Sequence, residues 1–160
     1  MIFVTAGTQE PFDRLIQIID ELAFDLKGIN FVVQALHSDY KPRNIEVLNF
    51  ISVAEFDAHV NAAQLIISHA GIGTIISALE KGKPIIVMPR LMKYNEHRNE
   101  HQLATAKKME ELGYVNVAYD GHELKKIFKT AWPNDLKVYH SIGKNASSEL
   151  LKSITDFIKF

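Results

Sequence analysis

Cysteine is absent from the 160-residue sequence, so the chain can form neither disulfide bonds nor zinc sites built on thiolates. An excess of charge of one sign is absent as well, because the formal net charge is only −1. Without a basic excess, nucleic acid is not an expected partner. No basic segment or small-residue cleavage site precedes the first apolar run, so we expect no secretory signal and a cytoplasmic location.

Long hydrophobic runs are also scarce, with one segment as the exception. Residues 62–79 contain no Asp, Glu, Lys or Arg over 18 positions, a length that approaches a membrane span. Gln64, His69 and two glycines interrupt this segment, and its two halves suit a strand followed by a helix. We therefore predict that it folds inside a globular domain.

Short apolar runs alternate with amphipathic segments along the chain. The length predicts one domain over 1–160, and the alternation predicts an α/β fold with a doubly wound, six-stranded parallel sheet of the Rossmann-like kind. The predicted strands cover 2–6, 29–36, 45–50, 64–68, 84–88 and 114–118. The predicted helices run from Pro11 to the stop at Gly28, from Ser52 to Val60, from the glycine-rich turn to Lys81, from Glu96 to Leu112, from Gly121 to Ala131 and from Asn145 to Phe160.

Two loops rich in small residues are predicted to meet at one edge of this sheet. In doubly wound sheets, ligands bind at the carboxyl ends of the strands, beside the point where the strand order reverses. With the order 3-2-1-4-5-6, that point lies between strands one and four. The loops that follow these strands are the turn Gly7-Thr8 and the segment from Ser68 to Thr74.

The second loop predicts a phosphate site. Gly71 and Gly73 allow backbone N–H groups to approach a ligand closely, and the helix that follows adds unpaired N–H groups and its positive dipole end. The spacing of a Walker loop and the third glycine of a dinucleotide fingerprint are both missing. Nucleoside triphosphate hydrolysis and hydride transfer are therefore disfavoured.

Histidines near these loops have several interpretations. His69 precedes the turn, where it suits either a donor to a phosphate or sugar oxygen or a semi-buried structural side chain. Residues 97–101 fit the pattern H-x-x-E-H of a class of zinc proteases. On a helix, His97 and His101 would share one face and bind a metal. The alternatives are a solvated polar first turn, or a turn that lines the ligand cleft.

A series of short motifs runs through the chain in a fixed order: Val4-Thr5-Ala6-Gly7-Thr8, Pro11-Phe12-Asp13, Ser68 to Thr74, Leu79 to Pro84, Pro89 and His101-Gln102. In this order they resemble the glycosyltransferase family 28 C-terminal domain, and within it the small Alg13-like and PssE-like single-domain subunits. The resemblance implies the C-terminal, donor-binding half of a GT-B enzyme whose other half is a separate subunit.

The resemblance also implies roles for single residues. The diphosphate would be held by Gly71, Ile72, Gly73 and Thr74 from one side and by Gly7 and Thr8 from the other, with His69 beside them. Met88 would edge the uracil, and His101 and Gln102 would reach the hydroxyls of the donor sugar. Ser77 stands where family members commonly carry a glutamate that binds the ribose; either Glu80 compensates, or ribose recognition is weaker.

The implied function is that of a catalytic, donor-binding subunit of a two-component UDP-sugar glycosyltransferase. It would transfer a hexose of the galactose, N-acetylglucosamine or glucuronic acid type to a lipid-linked acceptor, in exopolysaccharide, capsule or glycan biosynthesis. Its partner would be a membrane-anchored Alg14-like or PssD-like subunit that holds the protein at the inner face of the membrane. Helix-end N–H groups stabilise a leaving diphosphate, so no metal or cofactor is expected.

The general base and the partner contact are less defined. Glu10 and Asp13 are candidate bases by their location, as is His69, and the base can also belong to the partner. Residues 133–160 form a predicted extension with an amphipathic helix, which contacts either the partner or this domain's own sheet. A non-catalytic scaffold subunit and an H-x-x-E-H zinc hydrolase are the competing functions.

Overall fold

The computed structural model of the chain describes residues 1–134. Six strands form one parallel sheet in the order 3-2-1-4-5-6, which confirms the predicted architecture and strand order. The strands are β1 (Ile2–Thr5), β2 (Phe31–Gln34), β3 (Val47–Leu48), β4 (Leu65–His69), β5 (Ile85–Met88) and β6 (Asn116–Val117). The helices are α1 (Asp13–Asp25), α2 (Val53–Ala62), α3 (Ile72–Glu80), α4 (His101–Glu111) and α5 (Gly121–Ala131), and Met92–Tyr94 forms one 3₁₀ turn.

Both faces of the sheet are covered by apolar side chains. All four residues of β1 and of β5 are buried, which explains why these strands are apolar, apart from Thr5 at the end of β1, instead of alternating. Ile2 and Val4 of β1 point into a cluster that includes α1 and α5. Phe3, between them, points into a second cluster that includes α3 and α4. Because both faces of the sheet are covered, its carboxyl edge remains accessible for a ligand site.

Several predicted helix boundaries are confirmed by their capping contacts. Ser52 accepts a hydrogen bond from the Glu55 amide, and the Glu55 carboxylate accepts one from the Ser52 amide, which is a complete capping box at the start of α2. Gly82 follows α3 in the left-handed region at φ 60°. The predicted bounds of α5 agree with the structure at both ends.

The helix predicted from Glu96 begins only at His101. Residues 96–100 form an irregular segment with bends at 96 and 98–100, and two of its carboxylates bind the backbone of the preceding loop. Glu96 accepts from the Leu91 amide and forms a two-pronged ion pair with Arg14, while Glu100 accepts from the Met92 amide. Because these carboxylates pair with a distant helix and with a loop backbone, the segment does not adopt a helical conformation.

The first helix also begins later than predicted, at Asp13 instead of Pro11. The carbonyls of Glu10 and Pro11 accept hydrogen bonds from Arg90, so this stretch forms part of the loop. The charge-free segment 62–79 divides into the end of α2, β4 and most of α3. No helix within residues 1–134 is long and apolar enough to cross a membrane. The helix predicted over 145–160 lies outside the described residues.

Candidate functional site

A cleft of about 720 Å³ opens at the carboxyl ends of β1 and β4, where the strand order reverses. Both predicted small-residue loops line it, which places the expected site at the expected edge. The lining includes the predicted residues Gly7, Thr8, Glu10, His69, Gly71, Ile72, Gly73, Thr74 and Gln102. It also includes Thr5, Gln9, Gln34, Phe50, Ile51, Ser52, Val53, Phe56, Arg90 and His97.

The amino end of α3 faces the cleft without a side-chain cap. Gly71 is the N-cap residue, so the first amides of the helix, from Ile72 to Thr74, have no intrahelical acceptor. Within the described chain, no side chain accepts from them. Unpaired N–H groups at the positive end of a helix dipole suit an anion.

The Gly7 turn lies on the other side and is held by buried polar side chains. Gly7 has φ 78°, a left-handed conformation that favours glycine. Its amide donates to the Thr5 hydroxyl at 3.2 Å, and its carbonyl accepts from Gln34 at 3.4 Å. Gln34 also accepts from Thr5 at 2.6 Å, so the ends of β1 and β2 fix the turn together. Because the Gly7 amide is already used, the next residue, Thr8, is the better donor to a ligand.

Arg90 places a buried positive charge beneath the cleft. It is 3% exposed, and its guanidinium donates to the carbonyls of Ala6, Glu10 and Pro11. Burial lowers the pKa of Arg90 to about 10, with Glu96 and Glu10 opposing the shift, so the group is charged at neutral pH. Arg90 was not predicted from the sequence, although its position directly after a buried strand was a usable signal.

The imidazole of His69 lies between the two glycine turns. A Cβ on Gly71 would stand 2.2 Å from its Cε1, and a Cβ on Gly7 would stand 2.8 Å from its Nε2. Burial, followed by the positive charge of Arg90, lowers the pKa of His69 to about 4. The ring is therefore neutral at pH 7. Its Nδ1 is 3.2 Å from the amide nitrogen of Gln102.

One wall of the cleft is apolar and was not predicted. Phe50 and Ile51 follow β3, and Val53 and Phe56 belong to the first turns of α2. The Phe50 side chain is 73% exposed and that of Val53 is 81% exposed. A planar, partly apolar group of a ligand would find contacts on this wall. The rule that ligands gather at the carboxyl ends of strands would have pointed to Phe50.

Five predicted residues lie outside the lining of the cleft. Met88 is fully buried in the core. Asp13 accepts hydrogen bonds from the Ser38 hydroxyl and the Asp39 amide. Ser77 is half-buried in α3, whereas Glu80 and His101 are exposed. None of the five is among the residues that surround the cleft.

The geometry that the zinc hypothesis requires is missing. His97 precedes α4 in an irregular segment and its Nδ1 is 3.1 Å from the Asn99 carbonyl, while His101 is the first residue of α4. The two imidazoles therefore do not share a helix face, and the helical arrangement on which that alternative depended is wrong. Over the whole of 1–134, no three His, Asp or Glu side chains come together to hold a metal ion.

The fold and the cleft together define a Rossmann-like α/β domain with an uncapped helix end at the carboxyl edge of its sheet. Residues 1–157 match the model of the glycosyltransferase family 28 C-terminal domain, and the chain belongs to that family. The family predicted from the motifs is thus confirmed.

Similar proteins include the UDP-N-acetylglucosamine transferase subunit ALG13 of Cryptococcus neoformans, at 29% identity over 117 residues. The match covers 71% of this chain and 56% of the fungal protein, so the chain spans about half the length of that relative. Among solved structures, Acinetobacter baumannii MurG aligns with a TM-score of 0.61 at 20% identity, covering 99% of this chain and 49% of MurG. The solution structure of ALG13 aligns with a TM-score of 0.58 at 19% identity, covering 96% of this chain and 93% of the ALG13 chain. These structures show the fold, that of one lobe of a GT-B glycosyltransferase.

Proposed function

We propose that this chain is the donor-binding, catalytic subunit of a two-component UDP-sugar glycosyltransferase. One observation carries the proposal: three features that favour an anion converge on one cleft. They are the open amide end of α3, the Gly7-Thr8 turn and the buried guanidinium of Arg90. Membership of family 28 and similarity to a protein named as a UDP-N-acetylglucosamine transferase subunit support a nucleotide-sugar as the ligand.

The cleft suggests how the donor lies. The diphosphate accepts from the amides of Ile72, Gly73 and Thr74, with Thr8 opposite and His69 between them. Met88 is buried in the core and is not available to contact the uracil. The uracil lies instead on the apolar wall formed by Phe50 and Ile51. This arrangement puts the charged part of the donor over Arg90 and its flat part on the exposed aromatic ring.

The chemistry is displacement of UDP at the anomeric carbon of the sugar. The bond from that carbon to the β-phosphate oxygen breaks, a bond from the acceptor hydroxyl oxygen forms, and UDP leaves with the bonding electron pair. Negative charge grows on the diphosphate, and donors fixed in advance by a helix end stabilise it without reorganisation. Each charge-assisted hydrogen bond contributes about 1.5–3 kcal/mol.

The proton of the acceptor hydroxyl needs a base. Of the carboxylates within residues 1–134, only Glu10 lines the cleft, where it is exposed at the mouth. Asp13 is occupied by Ser38 and Asp39, and the Nδ1 atom of His69 faces Gln102. Glu10 is accordingly the base that we propose within this chain, unless the partner supplies one.

A separate subunit is proposed to complete the cleft. The chain corresponds to about half of MurG, and exposed apolar side chains border the cleft at Phe50, Val53 and Ile72. We propose that a membrane-anchored lobe, Alg14-like or PssD-like, covers this border and presents a lipid-linked acceptor. The protein would then work at the cytoplasmic face of a membrane, transferring a hexose in exopolysaccharide, capsule or glycan biosynthesis.

Calorimetric titration of the full chain with UDP tests donor binding. We expect binding by the natural chain and loss of binding in Gly73→Asp, since the new carboxylate stands among the amides that hold the diphosphate. An acidic residue in the first turn favours the helix, so the variant should fold. Asn30→Asp, an exposed position before β2, adds the same charge elsewhere and should bind like the natural chain. Equal affinities for all three proteins, or no binding by the natural chain, would refute the proposed donor site.

A further inference from the structure

Gln102 joins two elements of the cleft through its side-chain amide. It is the second residue of α4 and is 9% exposed. Its Oε1 accepts from the backbone amide of Arg90 at 3.1 Å, and its Nε2 lies 3.2 Å from Nδ1 of His69. The side chain therefore connects the loop after β5 with the end of β4.

The Arg90 contact decides which way the amide of Gln102 is oriented. A backbone N–H can only donate, so the atom that faces Arg90 must be the oxygen. The atom that faces His69 is then the nitrogen, which carries two hydrogens and has no lone pair to accept with. Nδ1 of His69 must accept, and the single proton of the neutral ring must be on Nε2.

The protonated nitrogen is on the side of the ring that faces the Gly7 turn. Nε2 is the atom that approaches the Gly7 turn, and His69 lines the cleft. Within the described part of the chain, no hydrogen bond uses Nε2. The charged or titratable groups that act on the ring are Arg90 and His97, and both oppose its protonation.

We propose that Gln102 is a positioning residue that fixes His69 in the Nε2–H tautomer, so that the imidazole presents a donor and not a lone pair to the diphosphate. The ligand in this statement rests on the proposed function, whereas the tautomer does not. The role differs from the one that the family resemblance implied for Gln102, which was direct contact with the sugar hydroxyls. One end of the side chain contacts Arg90 and the other contacts His69, and these two contacts fix its orientation.

Histidine-selective ¹⁵N NMR of the full chain tests the tautomer. At pH 7 we expect His69, assigned by comparison with His69→Gln, to be protonated on Nε2 alone. In Gln102→Glu, the second carboxylate oxygen faces Nδ1 and can only accept, so the proton should move to Nδ1 or the ring should become doubly protonated. An Nδ1–H ring in the natural chain, or an unchanged pattern in the variant, would overturn the proposal.

The pH dependence of UDP affinity separates positioning from a general loss of structure. Above the range where UDP itself titrates, the natural chain should bind with an affinity that does not change with pH. In Gln102→Glu the carboxylate raises the pKa of His69, and above that value a lone pair faces the phosphate. The affinity of the variant for UDP should then fall by about tenfold or more as pH rises, because one charge-assisted hydrogen bond to the phosphate is lost.

A purely structural or electrostatic effect would weaken binding by the same factor at every pH, and that result would overturn the positioning role. Gln64→Glu supplies the control, because Gln64 is exposed at the opposite end of β4 and the change in charge is identical. If the natural chain fails to bind UDP at any pH, the proposed function fails. The NMR result then decides the role of Gln102 by itself.

Discussion

His69 occupies space that two glycines leave open. Its ring is close to the backbone of both Gly7 and Gly71, so these residues are glycines for a steric reason in addition to their conformations. Gly73, two residues further on, has no atom within 4 Å of an added Cβ and is therefore free of this constraint. The two glycines of one motif thus have different roles.

Alanine substitution should separate these roles. We expect Gly71→Ala to lower the free energy of unfolding by about 1–3 kcal/mol, because the new methyl group meets a ring that Gln102 holds in place. Gly73→Ala should leave stability unchanged or raise it by up to about 1 kcal/mol, since alanine favours the helix. Urea unfolding measures both variants. Equal stabilities would show that the His69 ring can move aside.

The sequence could predict the backbone of this site better than its side chains. Glycines between an apolar run and a helical segment indicate an anion-binding turn through local chemistry alone, and Gly71, Gly73 and Thr74 line the cleft as expected. The roles of Arg90 and Gln102 depend on partners that are 12 to 84 residues away in the chain. No local pattern contains that information, so these two roles required the structure.

At the scale of elements, α1 is tied to the loop before β3 by one buried carboxylate. Asp20 accepts hydrogen bonds from the amides of Arg43 and Asn44 and from the hydroxyl of Tyr40. Burial alone would raise the pKa of Asp20, but these hydrogen bonds outweigh it and hold the pKa below its ordinary value. The group therefore stabilises the fold when it is ionised.

We expect Asp20→Asn to destabilise the protein by about 1–3 kcal/mol at pH 7. An amide has only one oxygen that can accept hydrogen bonds, and its nitrogen would face backbone N–H groups that also donate. The sign of the pH effect follows from the lowered pKa. The contribution of Asp20 is fully present above the ordinary pKa of about 4 and is lost as pH falls through the lower folded value.

Urea unfolding at pH 7 and at about pH 3 should therefore show a smaller difference between natural and variant chains in acid. Asp25→Asn, an exposed carboxylate at the end of the same helix, is the control and should change stability by less than about 0.5 kcal/mol. A penalty for Asp20→Asn that is independent of pH would contradict the ionised role of Asp20.

Prediction at this scale succeeded where elements are specified locally and failed where distant side chains intervene. The Ser52 capping box and the glycine after α3 are local signals, and both helix ends lie where they were predicted. The segment 96–100 has a helical pattern, but the Glu96 carboxylate pairs with Arg14, 82 residues earlier. The segment forms this ion pair and not a further helical turn.

At the scale of the whole molecule, the apolar character of the strands specifies the fold. Runs such as Ile2–Thr5 and Ile85–Met88 suit only a sheet that is covered on both faces, and alternation with helices makes that sheet parallel. These rules predict a parallel, doubly wound sheet, and with the order 3-2-1-4-5-6 they also give the position of the cleft. The apolar wall at Phe50 was missed, although Phe50 follows β3 at the same edge, because the two residues of β3 give only a weak strand signal.

A ligand that binds only the folded chain should stabilise the entire domain. At UDP concentrations 100 times the dissociation constant, the stabilisation is about 2.7 kcal/mol, or roughly 5–10 °C in melting temperature for a chain of this size. Uridine, which lacks both phosphates, should give a much smaller shift at the same concentration. Melting curves followed by circular dichroism measure this, and equal shifts for UDP and uridine would exclude the amide end of α3 as the binding determinant.

The hydrogen bond from Arg90 to the carbonyl of Ala6 spans 84 positions of the chain. The loop that it closes contains β2 through β5 and begins directly after β1, so the two turns and the buried charge come together only when most of the sheet has formed. Long-range contacts of this kind form late in folding, because chain entropy opposes them until the intervening structure exists. A nascent or partly unfolded copy would therefore offer no nucleotide site, and the ability to bind the donor would report that the domain is complete.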